Sequence, residues 1–214
     1  MKPANDPLFD YKCLVRQAYD RCGINYDVSR PRVAPAELNM LTRRLTKGSS
    51  ILDIGCGAGI PVASSLSGSF AVTGVDISET MIKQACLNVP GAKFIQGDIM
   101  SAVFSASSFD AAVAFYAIFH IPREEHSALF SKIHKWLKPS GYFFATLSFN
   151  DDASYTDEYM GGTMYWSNYG LEEYYKLLSA SGFKTIKTTA IGGGYLDINF
   201  SPKERHPLIL AQKV

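Results

Sequence analysis

The sequence predicts an α/β protein in which helices cover both faces of a mostly parallel β-sheet. Strand-like and helix-like segments alternate from residue 33 onward. The strands read as near-continuous apolar runs, which is typical of strands buried on both faces. The alternation ends near the C-terminus, where two β-rich segments follow one another without a helix and are therefore expected to be antiparallel. A chain of 214 residues without a linker or a repeat suits one domain.

The individual elements follow from apolar periodicity and from the glycine and proline residues that end each segment. Strands are predicted over residues 50–54, 70–75, 93–96, 110–116 and 142–149, and the two final β-rich segments are 184–191 and 208–213. Helices are predicted over residues 36–46, directly after Gly59, from the cap at Ser78 to residue 89, and over 122–137 and 171–180.

Charge and composition exclude several classes of function. Lys plus Arg total 21 and Asp plus Glu total 20, so the net charge is +1 and offers no basic face for nucleic acid or an anionic membrane. The four cysteines form no C-x-x-C pair, and no side-chain set is spaced for a metal ion. No secretory signal is evident, and the longest charge-free apolar run, residues 111–119, is far shorter than the ~18 residues of a membrane span. We expect a cytoplasmic protein, a monomer or homodimer.

The most informative segment is the glycine-rich stretch ILDIGCGAG at residues 51–59. A buried strand runs into glycines at alternate positions, which permit a tight turn and a close approach of a ligand to the backbone. A nicotinamide-binding G-x-G-x-x-G motif would need a third glycine where Ile60 stands. Asp53 would repel a pyrophosphate and attract an ammonium group, so the expected ligand is cationic or zwitterionic.

Two further acidic residues follow neighbouring strands. Asp76 ends the second strand, 21 residues after Gly55, which suits a carboxylate that accepts from ribose hydroxyls. Asp98 ends the third strand, where it suits the amino group of adenine. A single strand-end aspartate is usually a helix cap or turn former, but three in succession indicate a nucleoside site.

These segments resemble the successive motifs of class I S-adenosylmethionine-dependent methyltransferases, in order and spacing. The resemblance rests on ILDIGCGAG, VTGVDIS, FIQGDI, SSFDAAVAFYAIFHI and LKPSGYFFATL, and it is strong over residues 34–150. It implies a Rossmann-like, doubly wound, seven-stranded, mostly parallel sheet with strand order 3-2-1-4-5-7-6, the last strand antiparallel. The single domain would comprise an N-terminal cap (1–33), a cofactor-binding core (34–149), an aromatic lid (150–175) and a C-terminal helix with antiparallel strands (176–214).

The resemblance also implies that S-adenosylmethionine is the cofactor and S-adenosylhomocysteine the product. Gly55, Cys56, Gly57 and Gly59 would line its methionine part, and Asp53 would lie near its amino group. The remaining implied cofactor residues act at the ribose (Asp76), at the adenine (Ile77, Met81, Asp98, Ile99), beside the sulfonium (Ala114, Phe115), and as tyrosines that close the pocket (Tyr19, Tyr26). Ordinary helix packing explains the two tyrosines equally well.

The acceptor site is expected outside the cofactor core. Seven aromatic residues occupy 150–175, a segment that we interpret as a lid over the acceptor, with Tyr165 and Trp166 in contact with it. Tyr116 is placed in the same site. His120 follows the fourth strand and is the candidate general base, although a histidine that only shapes the pocket or caps the helix from Pro122 is the simpler interpretation. His126 and His134 are expected at the surface.

The sequence therefore favours methyl transfer by in-line displacement to oxygen, nitrogen or sulfur of a small, largely apolar or aromatic molecule. Methylation of RNA or protein is an alternative, weakened by the near-neutral charge and by FYAI at residues 115–118, where an Asn-Pro-Pro-Tyr-type motif would stand. A catalytically silent, cofactor-binding partner protein is a second alternative. A nicotinamide-dependent oxidoreductase is the most distant one.

Overall fold

The computed structural model describes residues 10–29, 33–192 and 205–214, those of 24–29 by their backbone alone. The sheet contains the strands β1 (Ser50–Ile54), β2 (Ala71–Asp76), β3 (Lys93–Gln96), β4 (Phe109–Ala114), β5 (Leu137–Thr146), β8 (Phe183–Gly192) and β9 (Arg205–Lys213), and a separate hairpin contains β6 (Tyr155–Tyr159) and β7 (Gly162–Trp166). The α-helices are α1 (Tyr11–Ser29), α2 (Asn39–Thr42), α3 (Val62–Ser67), α4 (Glu79–Asn88), α5 (His126–Trp136) and α6 (Leu171–Ala180).

The large sheet has the strand order β3-β2-β1-β4-β5-β9-β8. Strands β1 to β5 are mutually parallel, and β9 is antiparallel to both of its neighbours, β5 and β8. Because β8 and β9 are the sixth and seventh strands of this sheet along the chain, the order is 3-2-1-4-5-7-6. The predicted fold class, including the antiparallel last strand, is confirmed.

Both faces of the sheet are buried, as the apolar strands predict. Strand β1 shows this within one segment, since Leu52 and Ile54 pack against α5 and α6 whereas Ile51 packs against α2 and α3. All three side chains are almost fully buried. The carboxyl ends of the parallel strands therefore open toward one edge, between two helical layers.

Three predicted elements differ from the observed ones. The helix predicted over 36–46 is a 3₁₀ turn (Ala36–Leu38) followed by the short α2, because the amides of Arg44 and Leu45 bond to carbonyls three residues earlier rather than four. The helix predicted from residue 122 becomes α-helical only at His126, after a 3₁₀ turn (Arg123–Glu125). Strand β5 begins before the predicted strand, with a register shift between Leu137 and Tyr142.

The N-terminal helix α1 lies outside the two layers and packs against β7 and α4. Val15 and Ala18 of α1 are buried with Met164 and Tyr165 of β7. Asp20 accepts hydrogen bonds from the hydroxyl of Ser78 (2.6 Å) and from the amide of Thr80 (3.2 Å) at the start of α4. These contacts place α1 beside the carboxyl ends of the central strands.

The hairpin β6–β7 falls within the segment predicted as a lid. Met160 and Gly161 connect its strands, and both have positive φ, 49° and 79°. Positive φ at both central residues is typical of a type I′ turn, whose twist matches that of paired strands. No helix in the described part of the chain is both long and apolar enough to cross a membrane.

Candidate functional site

A cavity that is partly open to solvent lies at the carboxyl ends of the central strands, with about 710 Å³ of empty space including its open mouth. Helix α1 forms one wall, and the residues after β1, β2, β3 and β4 form the rest. The lining residues are Tyr11, Lys12, Val15, Tyr19, Ile54, Gly55, Gly57, Val75, Asp76, Ile77, Gly97, Asp98, Ile99, Phe115, Tyr116, Ala117, His120 and Ile121. This is the edge of a parallel sheet at which ligands bind.

The glycine loop after β1 requires its glycines. Gly55 has φ +66° and Gly57 has φ +52°, a backbone region that residues other than glycine rarely adopt. A Cβ on Gly55 would lie 2.4 Å from Cβ of Ala117, across the cavity wall. The amides of Gly55 and Cys56 both donate to the carbonyl of Val75, which fixes the loop to β2.

Asp53 is buried on β1, two residues before Gly55. Its Oδ2 atom has no hydrogen-bond partner among the described residues. Burial, with a smaller contribution from the charge of Asp76, raises the pKa of Asp53 to about 7. The side chain does not line the cavity. A buried carboxylate with an unpaired oxygen is stabilised by a positive charge on a bound molecule.

Asp76 ends β2 and faces the cavity. Its two oxygens accept hydrogen bonds from the amides of Gly57 and Ser78, each at 2.9 Å. Burial raises its pKa to about 6, although these amides act in the opposite direction. Each carboxylate oxygen retains a further lone pair for a ligand hydroxyl.

Asp98 has more protein partners than the sequence indicates. Its Oδ2 atom lies 2.6 Å from Nζ of Lys12 and accepts from the hydroxyl of Ser101, and Oδ1 accepts from the amide of Met100. Although burial acts in the opposite direction, these bonds keep the pKa of Asp98 below its ordinary value. The carboxylate is thus ionised and shared between the cavity and α1.

Tyr19 and His120 form a hydrogen-bonded pair in the cavity wall. The Tyr19 hydroxyl lies 2.9 Å from Nε2 of His120, and Nδ1 of His120 lies 2.9 Å from the carbonyl oxygen of Tyr165. A carbonyl only accepts, so Nδ1 carries a proton and donates it. In the neutral imidazole Nε2 is then an acceptor, and the Tyr19 hydroxyl donates to it.

Tyr116 continues the wall after β4 and has a positive φ of 55°. Its amide donates to Oγ1 of Thr146 (2.6 Å), and its hydroxyl donates to the carbonyl of Gly192. A tyrosine in this region of φ costs energy, and bonds at both ends of the residue hold it there. The residue is thereby fixed in the cavity wall.

Eight of the predicted cofactor residues line the cavity: Tyr19, Gly55, Gly57, Asp76, Ile77, Asp98, Ile99 and Phe115. The side chain of Tyr26 lies outside the described residues. Cys56, Gly59, Met81 and Ala114 are buried and stand behind the lining, as Asp53 does. Two of these residues show that their neighbours are core side chains and not the cavity. Met81 packs on Cys22, and a Cβ on Gly59 would lie 3.1 Å from the Val89 side chain.

The two aromatic residues predicted to touch the acceptor also stand behind the lining. Tyr165 is buried, packs against the Tyr11 ring at a tilt of 36° and bonds through its hydroxyl to Ser154 (2.8 Å). The Trp166 ring lies 5.9 Å from that of His120 and stacks on Tyr155. They support the wall through His120, whereas Tyr116 and His120 line the cavity directly.

Sequence reasoning identified Tyr19 but not the three other residues that α1 adds to the site. Tyr11, Lys12 and Val15 line the cavity. The Tyr11 hydroxyl lies 3.2 Å from both carboxylate oxygens of Glu125. No local motif marks these positions. Within the described ranges, no three His, Cys, Asp or Glu side chains converge as they would for a metal ion.

The family model and the curated relatives described here are methyltransferases. Residues 51–141 match the model of a methyltransferase domain. The chain is 32% identical over 136 residues to a sterol 24-C-methyltransferase of Gibberella zeae, which covers 59% of this chain and 35% of that protein. It is 32% identical over 151 residues to a phosphoethanolamine N-methyltransferase of Plasmodium falciparum, which covers 66% of this chain and 56% of that protein.

Solved structures share the fold. A methyltransferase from Methanosarcina mazei has a TM-score of 0.71 at 21% identity, over 85% of this chain and 99% of that one. Magnesium protoporphyrin IX methyltransferase from Synechocystis PCC 6803 with bound S-adenosylmethionine also has a TM-score of 0.71, at 15% identity, over 98% of this chain and 100% of that one. The matched segments span 26–56% of the length of the curated relatives.

Proposed function

Because this chain belongs to the class I S-adenosylmethionine-dependent methyltransferase superfamily, we propose that it transfers a methyl group to oxygen, nitrogen or sulfur of a small, largely apolar or aromatic molecule. The observation that carries the proposal is the cavity at the carboxyl ends of β1, β2, β3 and β4, bordered by the glycine loop and by acidic residues.

The residues present fit S-adenosylmethionine. Gly55 and Gly57 line the cavity where the methionine part would lie, and the unpaired oxygen of Asp53 suits its ammonium group. Asp76 would accept from the ribose hydroxyls, and Asp98 would face the adenine with Ile77 and Ile99. When bound, the cofactor supplies an activated methyl group on a sulfonium.

The remaining wall favours an uncharged acceptor. Beyond the predicted nucleoside residues, the described lining consists of aromatic and apolar residues together with His120 and Lys12. Among the described lining residues the charged ones are Lys12, Asp76 and Asp98, and Lys12 already pairs with Asp98. A phosphate or carboxylate on the acceptor would have no cation of its own there, which is costly in a partly buried site.

The proposed proton acceptor is the pair of Tyr19 and His120. As the acceptor atom attacks the methyl carbon, its proton passes to the Tyr19 oxygen while the tyrosine proton passes to Nε2 of His120. The bond from Nδ1 to the Tyr165 carbonyl orients the ring and stabilises the imidazolium that forms. The apolar wall keeps water away from the reacting atoms, and positioning supplies most of the rate enhancement.

Two measurements test the proposal. Isothermal titration calorimetry compares S-adenosylhomocysteine with NAD, and we expect binding of the first alone. Incubation with deuterium-labelled S-adenosylmethionine and a panel of acceptors, read by mass spectrometry, should show label on neutral phenols, thiols or amines. Phosphoethanolamine serves as the charged comparison. Binding of NAD without S-adenosylhomocysteine would refute the proposal, and cofactor binding without transfer to any class would favour the silent partner protein.

A further inference from the structure

His126 is a buried histidine that the proposed reaction does not use. It lies at the start of α5, is fully buried, and was expected at the surface, which is wrong. The reason is non-local: α6 covers this face of α5, and the ring of Tyr174 stacks on the imidazole at 5.7 Å. Each polar atom of the imidazole has a partner. Nε2 lies 3.1 Å from the Ile118 carbonyl and 3.0 Å from the Ile121 carbonyl, and Nδ1 lies 3.3 Å from the Tyr174 hydroxyl.

The donor directions follow from these partners. Both carbonyls are acceptors, so Nε2 carries the proton and donates to both. Nδ1 is then the acceptor of the Tyr174 hydroxyl. Burial lowers the pKa of His126 to about 4, although the two carbonyls act in the opposite direction, so the ring is neutral near pH 7. His126 is therefore a fixed donor rather than a proton carrier.

The two carbonyls belong to residues on either side of His120. Ile118 begins the 3₁₀ turn Ile118–His120, and Ile121 directly follows it. The same segment is held from the opposite direction by the hairpin, because the amide of Ser167 donates to the Phe119 carbonyl at 2.9 Å and His120 itself donates to the Tyr165 carbonyl. The turn that presents His120 to the cavity is thus held between α5 and β7.

We propose that His126 is a positioning residue, whose single N–H holds both ends of the turn that carries His120 so that Nε2 of His120 meets the Tyr19 hydroxyl. The importance of this positioning for turnover rests on the proposed function, whereas the hydrogen bonds of His126 are independent of it. Loss of the N–H removes this donor from the Ile121 carbonyl and leaves the Ile118 carbonyl with the amide of Ile121 alone, so the turn relaxes. His120 then no longer keeps one orientation.

The test uses the four histidines of the chain as probes. Long-range ¹H–¹⁵N spectra of protein labelled with ¹⁵N-histidine report which ring nitrogen carries the proton in each residue. In the wild type we expect His126 protonated at Nε2 and His120 at Nδ1. A wild-type His126 protonated at Nδ1 would overturn the proposal without any variant.

Variants separate positioning from packing. His126→Phe keeps an aromatic ring on Tyr174 but removes the donor, and the His120 signals should lose their single-tautomer pattern. His126→Gln retains an N–H₂ group that reaches the carbonyls and should restore it. Ile133→Val, in the core on the same helix, is the control that perturbs packing alone. An unchanged His120 pattern in folded His126→Phe would contradict the proposal.

A second readout separates the two proposals. With an acceptor identified by the labelled-methyl screen, His126→Phe should lower kcat by up to about 100-fold, as misplacement of a reacting group does, and leave the affinity for S-adenosylhomocysteine unchanged. A fall in affinity with unchanged kcat would count against the positioning role. If no acceptor is found, the proposed function fails, and the His120 spectra still decide the geometry.

Discussion

Nζ of Lys12 lies 2.6 Å from Oδ2 of Asp98, although the two residues are 86 positions apart in the chain. Both line the cavity, so this ion pair ties α1 to the residue that follows β3 at the predicted adenine end of the site. It is a direct charge contact between the N-terminal helix and the strand ends.

Replacement of Lys12 with methionine should lower the free energy of unfolding by about 0.2–1 kcal/mol at pH 7, since the pair is partly exposed. The sign of the pH dependence follows from Asp98, whose pKa is lowered in the folded state. The stabilisation by the Lys12–Asp98 ion pair is therefore present above the ordinary Asp pKa of about 3.9, and it is lost as the pH falls through the pKa of Asp98 in the folded protein. Urea unfolding at several pH values measures it. Lys83→Met, which breaks an exposed pair with Glu79, is the control and should change little.

Asp76→Ala should weaken binding of S-adenosylhomocysteine by about 1–3 kcal/mol, because ribose hydroxyls would lose their acceptor. Calorimetry measures the affinity. Asp110→Ala is a matched control, since Asp110 also accepts from a backbone amide, that of Ser50, but does not line the cavity. Equal affinity in wild type and Asp76→Ala would show that the ribose assignment is wrong.

The affinity for S-adenosylhomocysteine should fall as the pH is lowered from about 8 to 6. Asp53 has a raised pKa of about 7, and a bound ammonium group favours its ionised form, so binding releases a proton in this range. Calorimetry in buffers of different ionisation enthalpy counts the released protons. Asp53→Asn should flatten the pH dependence, and an unaltered slope in that variant would exclude Asp53 as the source.

Without cofactor, the raised pKa of Asp53 makes the free energy of unfolding depend on pH in the direction opposite to that of the cofactor affinity. Between the ordinary Asp pKa of about 3.9 and the folded value, the folded protein without cofactor binds more protons at Asp53 than the unfolded chain does. The contribution of Asp53 to the free energy of unfolding therefore increases as the pH falls through this window. The difference between wild type and Asp53→Asn in urea unfolding isolates it.

Gly55→Ala should destabilise the fold and abolish tight cofactor binding. The left-handed backbone conformation alone costs roughly 1–2 kcal/mol for an L side chain, and the added Cβ would meet Ala117 at 2.4 Å. Thermal unfolding and calorimetry report the two effects. Gly68→Ala is the matched control, because a Cβ there meets nothing within 4 Å and φ is −69°. A Gly55→Ala protein as stable as Gly68→Ala would contradict the geometry of the loop.

Tyr19→Phe should lower kcat on the order of 100-fold, which is the lower end of what a positioned acid or base contributes. The hydroxyl that bonds to His120 is lost, whereas the ring that lines the cavity is kept. Steady-state kinetics with an identified acceptor, together with calorimetry for cofactor affinity, measure the change. Tyr155→Phe, on the exposed hairpin strand, is the control. A loss of cofactor affinity in place of kcat would assign Tyr19 to binding.

The strand ends and the glycine loop were predictable because their signals are local. Glycines at alternate positions after an apolar strand mark the turn, and Asp76 and Asp98 each end a strand. Parallel strands bring their carboxyl ends to one edge, so residues far apart in the chain converge by topology alone. The order of the strands, by contrast, came from the family resemblance and not from periodicity.

Of the α1 residues that line the cavity, only Tyr19 was expected, from the family resemblance. The rest was not predictable, since it depends on contacts across the fold. Tyr19 and His120 are 101 positions apart, and nothing near either residue indicates the other. The aromatic cluster illustrates a different limit. The density of rings led to the prediction for residues 150–175, but none of the described lining residues comes from that segment. Tyr165 packs against Tyr11 and Trp166 stacks on Tyr155, contacts that are decided by tertiary packing.

The bond that orients His120 comes from the backbone of Tyr165, not from its side chain. A backbone acceptor is supplied by any amino acid, so this support leaves no trace in the sequence and does not depend on which side chain stands at position 165. Residue 165 can therefore be substituted to redesign the region behind the cavity wall while His120 keeps its backbone acceptor. Substitution of the Tyr165 side chain would alter the shape of the neighbouring core, whereas the backbone acceptor that orients His120 toward Tyr19 would be kept.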